Sequence, residues 1–132
     1  MDWYSYAINI NYFNFKGRAR RKEYWMFTLI NNAIIVSLYL STLYFSDLYS
    51  RDFNTISLVL TVFFVIYIIV TFIPSLSVTV RRLHDTGRSG WWLLALLIPF
   101  GGIIIFVFSC LDSHPGDNRF GPNPKNNHPV AP

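Results

Sequence analysis

Three stretches without a single charged side chain dominate this chain: Tyr24 to Ser46 (23 residues), Phe53 to Val80 (28) and Ser89 to Leu111 (23). At ~1.5 Å of rise per helical residue, each is long enough to cross a ~30 Å hydrocarbon core. They take up 74 of the 132 residues. Only 14% of the side chains are charged, against roughly a quarter in an average soluble domain. This balance argues against a disordered chain, a disulfide scaffold and a nucleic-acid-binding domain, and predicts an all-α integral membrane protein. The single cysteine, Cys110, permits no intrachain disulfide, and its place at the end of an apolar run predicts a small buried hydrophobe.

The expected layout is one membrane domain over 1–132, with an interfacial helix over 1–15, transmembrane helices over 24–46, 54–80 and 90–111, and a polar tail over 112–132. In the leader, Trp3, Ala7 and Ile10 share one helical face while Asp2, Ser5, Asn9 and Lys16 gather opposite, the pattern of a helix lying in the interface. Lys16, Arg18, Arg20, Arg21 and Lys22 follow directly before the first span, which carries no small-residue cleavage site and reads as uncleaved. Lys and Arg in short flanks face the cytoplasm. Five in the leader and three in the loop 81–90 stand against Arg51, Arg119 and Lys125, so three spans predict a cytoplasmic N-terminus and a C-terminus on the other side, periplasmic if the membrane is the bacterial inner one that the resemblance below implies.

Two spans carry readable detail. On a helical projection Ser57, Thr61, Thr71, Ser75 and Thr79 fall within an arc of ~80°, a hydroxyl stripe expected to face the other spans, with Asn31 and Asn32 as partners. Pro74 is expected to kink or break that helix. The third window is split by Pro99-Phe100-Gly101-Gly102 into apolar halves of eight residues, Trp91 to Ile98 and Ile103 to Cys110. Each half makes only ~12 Å of helix, too short to cross alone. A kinked continuous span, bent at Pro99 and Gly101, is preferred over a re-entrant hairpin, because a thin three-helix bundle covers little of the backbone left open at the break.

The strongest polar constellation is the loop Arg81-Arg82-Leu83-His84-Asp85-Thr86-Gly87-Arg88-Ser89-Gly90. Arginine forks match phosphate oxygens, and anionic headgroups attract each juxtamembrane base by ~1 kcal/mol. Together with the leader the loop supplies eight cations at one mouth. Arg18, Arg20, Arg21, Arg81, Arg82 and Arg88 are therefore the candidate headgroup-binding residues. His84 and Asp85 are the only catalytic candidates, as general base or phosphoryl acceptor with an orienting carboxylate. Asp85 also suits a plain ion pair with a neighbouring arginine. His84, Asp85, His114 and Asp117 are acceptable metal-ligand types, but no ligand spacing supports a metal, and only a re-entrant third segment would bring the two pairs to one side.

Three motifs also carry a family resemblance: Phe15-Lys16-Gly17-Arg18-Ala19-Arg20-Arg21-Lys22-Glu23-Tyr24-Trp25, Arg81-Arg82-Leu83-His84-Asp85, and Gly116-Asp117-Asn118-Arg119-Phe120-Gly121-Pro122-Asn123-Pro124. In this order the chain resembles the domain-of-unknown-function 805 family of small bacterial inner-membrane proteins, from about residue 3 to residue 125. The resemblance implies about three helices and brings no established activity. Gly17, Arg18, Arg21, Trp25, Arg81, Arg82, His84, Asp85, Asn118, Gly121 and Pro124 stand at its motif positions; His114 and His128 do not.

The expectation is a non-enzymatic inner-membrane component that binds anionic phospholipid headgroups or a partner protein, self-associates or joins another membrane protein, and needs no cofactor, metal or nucleic acid. Two other readings stay open. One is a lipid- or phosphate-modifying enzyme centred on His84 and Asp85; the other is a small transporter lined by the hydroxyl stripe.

Overall fold

The computed structural model describes residues 4, 8, 11–48 and 55–125. Two long apolar helices form its frame: α1 (Arg21–Leu48) and α2 (Thr55–Asp85). Both are long and apolar enough to cross a membrane. They pack antiparallel, as the pairs Glu23 with Arg81, Asn31 with Tyr67 and Tyr39 with Phe64 show. Glu23 sits in the first turn of α1 and Arg82 and His84 in the last turn of α2, each complementing the local helix dipole.

α2 continues five residues past the charge-free window, so Arg81 to Asp85 are helical and not part of a loop. Its end is a Schellman motif: Arg88 N–H donates to the Leu83 carbonyl (2.9 Å) and Gly87 N–H to that of His84 (3.0 Å). Gly87 at φ 77° takes the left-handed position. Pro74 does not break the helix. A proline lacks the N–H that would bond the carbonyl four residues back; that carbonyl, on Val70, accepts the Tyr12 hydroxyl at 2.6 Å instead.

The third apolar window is not one continuous helix. Residues Gly90–Leu97 form a 3-10 helix, begun at Ser89, whose hydroxyl accepts from Trp91 N. Phe100 turns the chain in the left-handed region (φ 64°), and α3 (Gly101–Cys110) runs back. Trp92 meets Phe108 edge-on (5.2 Å between centroids), and Arg88 lies 4.0 Å over the same ring, so the two ends of the segment are side by side. The expected kinked continuous span over 90–111 is thus replaced by a hairpin. Gly101 makes the turn possible: a Cβ there would stand 1.5 Å from the Ala95 carbonyl oxygen. The legs are ~16 Å of 3-10 helix and ~15 Å of α-helix, each about half a hydrocarbon core.

Two further expectations change. Cys110 is exposed, not buried, because it lies on the outer face of α3. Much of the expected interfacial helix over 1–15, and the loop carrying Arg51, lie outside the described residues. Tyr4 and Ile8 are helical and pack on the core of Ala19, Tyr24, Phe27 and Val78. Tyr4 stacks on Phe27 and bonds Tyr67 Oη at 2.7 Å. Tyr67 is ~21 Å along α2 from Arg81. Tyr4 therefore sits well along the bundle from the end of α2, against aromatic partners on both helices.

Candidate functional site

The basic leader and the end of α2 meet backbone to backbone: Ala19 N–H donates to the Arg81 carbonyl at 3.0 Å. Around this contact the arginines turn inward. Arg82, fully buried, donates to the carbonyls of Ala19 (3.2 Å), Ser109 (3.2 Å) and Leu111, and to the Asp85 carboxylate. Arg18 donates through Nε to Asp85 Oδ1 at 3.0 Å and through its two Nη atoms to the carbonyls of Gly116 and His114, both at 2.8 Å. Ser113 Oγ (2.6 Å) completes the shell of Asp85, whose own carbonyl accepts from His114 N at 2.8 Å. One carboxylate between two guanidiniums thus ties leader, α2, α3 and tail into a single knot, with the helix-end and turn carbonyls absorbing the remaining donors.

A second buried pair stands beside it. Arg81 Nη1 donates to Glu23 Oε1 at 2.6 Å, with both side chains more than nine-tenths buried. Its Nε and Nη2, and the nearby Asn11 Nδ2, have no hydrogen-bond partner among the described residues. Glu23 is the functional-type residue that reading the basic run as pure positive charge overlooked. The signal was there: a lone acid at the start of a span, among five bases, needs a buried cation to stay charged.

His84 points elsewhere. Its ring stacks on Phe120 (3.8 Å, 3° between planes), Nδ1 lies 3.2 Å from the Gly17 carbonyl oxygen, and its own carbonyl accepts from Asn118 Nδ2 at 2.9 Å. His84 and Asp85 therefore each hold a different part of the tail and do not face one another. The doubling-back brings the His114 backbone onto Asp85, yet no three His, Cys, Asp or Glu side chains gather among the described residues.

Of the six arginines expected to bind headgroups, Arg18, Arg81 and Arg82 are thus consumed inside the protein. Arg20 donates to the Pro124 carbonyl, Arg88 is half-buried over Phe108, and Arg21 pairs with Asp112 at 3.3 Å while about half exposed. Asp112 also accepts from Lys125 Nζ at 2.6 Å, and this hydrogen bond holds its carboxyl below the ordinary aspartate range. Lys16, Lys22 and Arg119 lie on the surface. The tail, from 112 to 125, is folded back through a tight Asn118–Gly121 turn with reciprocal backbone bonds of 3.1 and 2.9 Å.

The hydroxyl stripe is also inward-looking. Thr61, Thr71, Ser75 and Thr79 each donate to the carbonyl four residues back on α2, at 2.6–2.8 Å, and among the described residues none bridges to another helix. Bonds from α2 to α1 and to the turn before it come from residues outside the stripe. Tyr67 donates to Asn31 Oδ1 (2.9 Å), and Ser77 to the carbonyls of Asn11 and Asn14.

The profile of the family described as protein of unknown function (DUF805) matches residues 12–122. The chain belongs to that family. Among its DUF805 relatives, inner membrane protein YhaH of Escherichia coli (strain K12) is 48% identical over 126 residues, covering 95% of this chain and 98% of YhaH. Inner membrane protein YhaI of the same strain is 42% identical over 130 residues, covering 95% and 97%. No solved structure matches the chain. Of the residues that carried the resemblance in the sequence, Arg18, Arg82 and Asp85 form the knot, and His84, Asn118 and Gly121 make contacts that hold the tail.

Proposed function

We propose that the protein is an inner-membrane protein with two full spans and a half-depth hairpin, its leader and tail both at the cytoplasmic face. We further propose that it acts there as a binding component for anionic phospholipid headgroups. The observation that carries the reading is the knot: Arg18 and Arg82 hold the carbonyls of Ser109, Leu111, His114 and Gly116 at the same end of α2 as the leader. With the tail on that side, Arg119 and Lys125 join the eight cations already counted, and ten Lys and Arg stand against Arg51 alone. That is a stronger cytoplasmic bias than the eight against three of a three-span layout. YhaH and YhaI, named as inner membrane proteins, support the compartment.

Headgroup contact then falls to cations on the outside of the knot: Lys16, Lys22, Arg88 and Arg119. Asp85 and Glu23 neutralise part of the buried charge, and the outer bases remain to attract anionic lipid by ~1 kcal/mol each. Trp91 and Trp92, exposed at the start of the hairpin, sit where interfacial aromatic rings anchor.

The deciding experiment is cysteine labelling in a Cys110→Ala background, with single cysteines at Ser5, Ser50, Ser89 and Ser113, in inverted and right-side-out vesicles. Labelling of 5, 89 and 113 from the cytoplasmic side and of 50 from the other supports the reading; labelling of 113 with 50 refutes it. For headgroups, Lys16→Gln, Lys22→Gln and Arg119→Gln together should weaken binding to phosphatidylglycerol vesicles and remove its salt sensitivity. Equal binding by the variant and the parent would sink the lipid reading.

A further inference from the structure

Between α1 and α2, just inside the mouth, lies a recess of about 140 Å³ lined by Tyr24, Thr28, Asn31, Asn32, Ser75 and Thr79 among others. Ser75 and Thr79 give their hydroxyl hydrogens to their own helix and keep only oxygens to offer. Asn31, 7% exposed, accepts from Tyr67 at Oδ1, while its Nδ2 bonds no described residue. Thr28 and Asn32, one turn apart on α1, make no side-chain hydrogen bond with any described residue either. The most buried unmet group of the recess is thus a donor, the Asn31 NH2, whose own oxygen is taken by Tyr67, with the Asn32 amide and the Thr28 hydroxyl beside it.

Depth narrows which acceptor would meet that donor. Thr28 and Asn32 lie ~6 and ~12 Å below Tyr24, and Thr79 and Ser75 ~3 and ~9 Å inside Arg81, so the recess spans the boundary between headgroups and hydrocarbon. Hydrocarbon offers no acceptor, and an unmet donor there is costly. A charged acceptor is not called for, since none of the lining side chains carries charge. The acceptors resident at this level of a bilayer are the carbonyl oxygens of acyl esters.

We propose that the recess binds the acyl-ester region of a glycerophospholipid in the leaflet of the basic mouth, through Thr28, Asn31 and Asn32. The inference rests on the membrane reading above and deepens it: outer cations take the phosphate, and the recess takes the ester beneath it.

The test uses the full-length protein, delipidated in detergent and titrated with ester-linked phosphatidylglycerol and with its diether counterpart, bound lipid being counted by native mass spectrometry. The two lipids share a headgroup and differ only in the carbonyl. The parent should hold the ester lipid roughly tenfold more tightly, the worth of one or two hydrogen bonds. Thr28→Val with Asn32→Leu should bind both at the diether level with unchanged melting temperature; Asn31 is kept for its bond to Tyr67. Equal affinity of the parent for the two lipids overturns the recess while leaving the headgroup reading intact if binding stays salt-sensitive. Loss of binding to both overturns both. Retention of the ester preference in the double variant also overturns the assignment, as does a parent dimer that Asn32→Leu dissociates without any ester preference, which would give the amide to a second copy of the chain.

Discussion

Replacing Asp85 by asparagine keeps the shape of the side chain and removes the one negative charge between two buried guanidiniums. Asp85 is fully buried, and its carboxylate receives Arg18 Nε at 3.0 Å, Arg82 Nη1, and Ser113 Oγ at 2.6 Å. Asparagine keeps one acceptor oxygen and presents an NH2 group in place of the other, so whichever way the amide turns, a guanidinium N–H faces a donor. Arg18 and Arg82 then repel one another without a counter-ion. Breaking a buried pair by removing one partner costs about 3–5 kcal/mol, a large part of a total stability of about 5–15 kcal/mol. For a chain of this size that corresponds to a fall in melting temperature of about 10–20 °C. Intrinsic tryptophan fluorescence in detergent follows the transition. Trypsin reports the mechanism, because release of the tail opens the bond after Arg119. Asp112→Asn, which weakens only the exposed pairs with Arg21 and Lys125, is the control and should change both readouts far less. An Asp85→Asn protein that melts within about 3 °C of the parent with its tail still protected would falsify the reasoning, and would mean that the carbonyls alone hold Arg18 and Arg82.

The hairpin yields a matched pair: Gly101→Ala puts a Cβ 1.5 Å from the Ala95 carbonyl oxygen and should cost about 3 kcal/mol or more, whereas Gly102→Ala, whose Cβ meets nothing nearer than 4.0 Å, should leave the melting temperature unchanged or slightly raised. Similar behaviour of the two alanine variants would argue against the tight turn. Phe100 holds a left-handed conformation that costs an L-residue about 1–2 kcal/mol, and its ring is 81% exposed, so Phe100→Gly should stabilise the purified protein by about 1 kcal/mol; a lower melting temperature would contradict the turn geometry. At Asp112 the hydrogen bond from Lys125 holds the folded carboxyl below its ordinary value of 3.8, with Arg21 adding to the effect. The stabilisation is therefore present above that value and fades as pH falls through the lower, folded one. Carboxyl NMR titration of Lys125→Met should show the Asp112 midpoint move up; an unmoved midpoint would show that Lys125 does not hold it.

What the residues alone determined is the part of the fold set by local composition. Two charge-free windows of 23 and 28 residues become α1 and α2, because a helix is the form in which an isolated apolar segment bonds all its own backbone. The leader and the loop after the second window were legible as one basic mouth for the same reason: charges must leave the hydrocarbon, and the side on which they collect is countable. The family was legible from three short motifs in order.

What only the tertiary structure decided is how those motifs are used. A kinked span and a hairpin have the same composition, and the residues 90–111 choose the hairpin through contacts no local pattern carries: the backbone of Gly101 against Ala95, the Trp92 and Arg88 contacts with Phe108, and Arg82 reaching the carbonyls of Ser109 and Leu111. Glu23 and Arg81 are separated by 58 positions and Arg18 and Asp85 by 67, so their pairing is invisible until the helices are packed. Three of the arginines that read as a surface for phosphate, Arg18, Arg81 and Arg82, are buried instead. A charge in a low-dielectric interior is held by whatever counter-ion and carbonyls reach it first, and here the chain's own tail reaches Arg18 and Arg82.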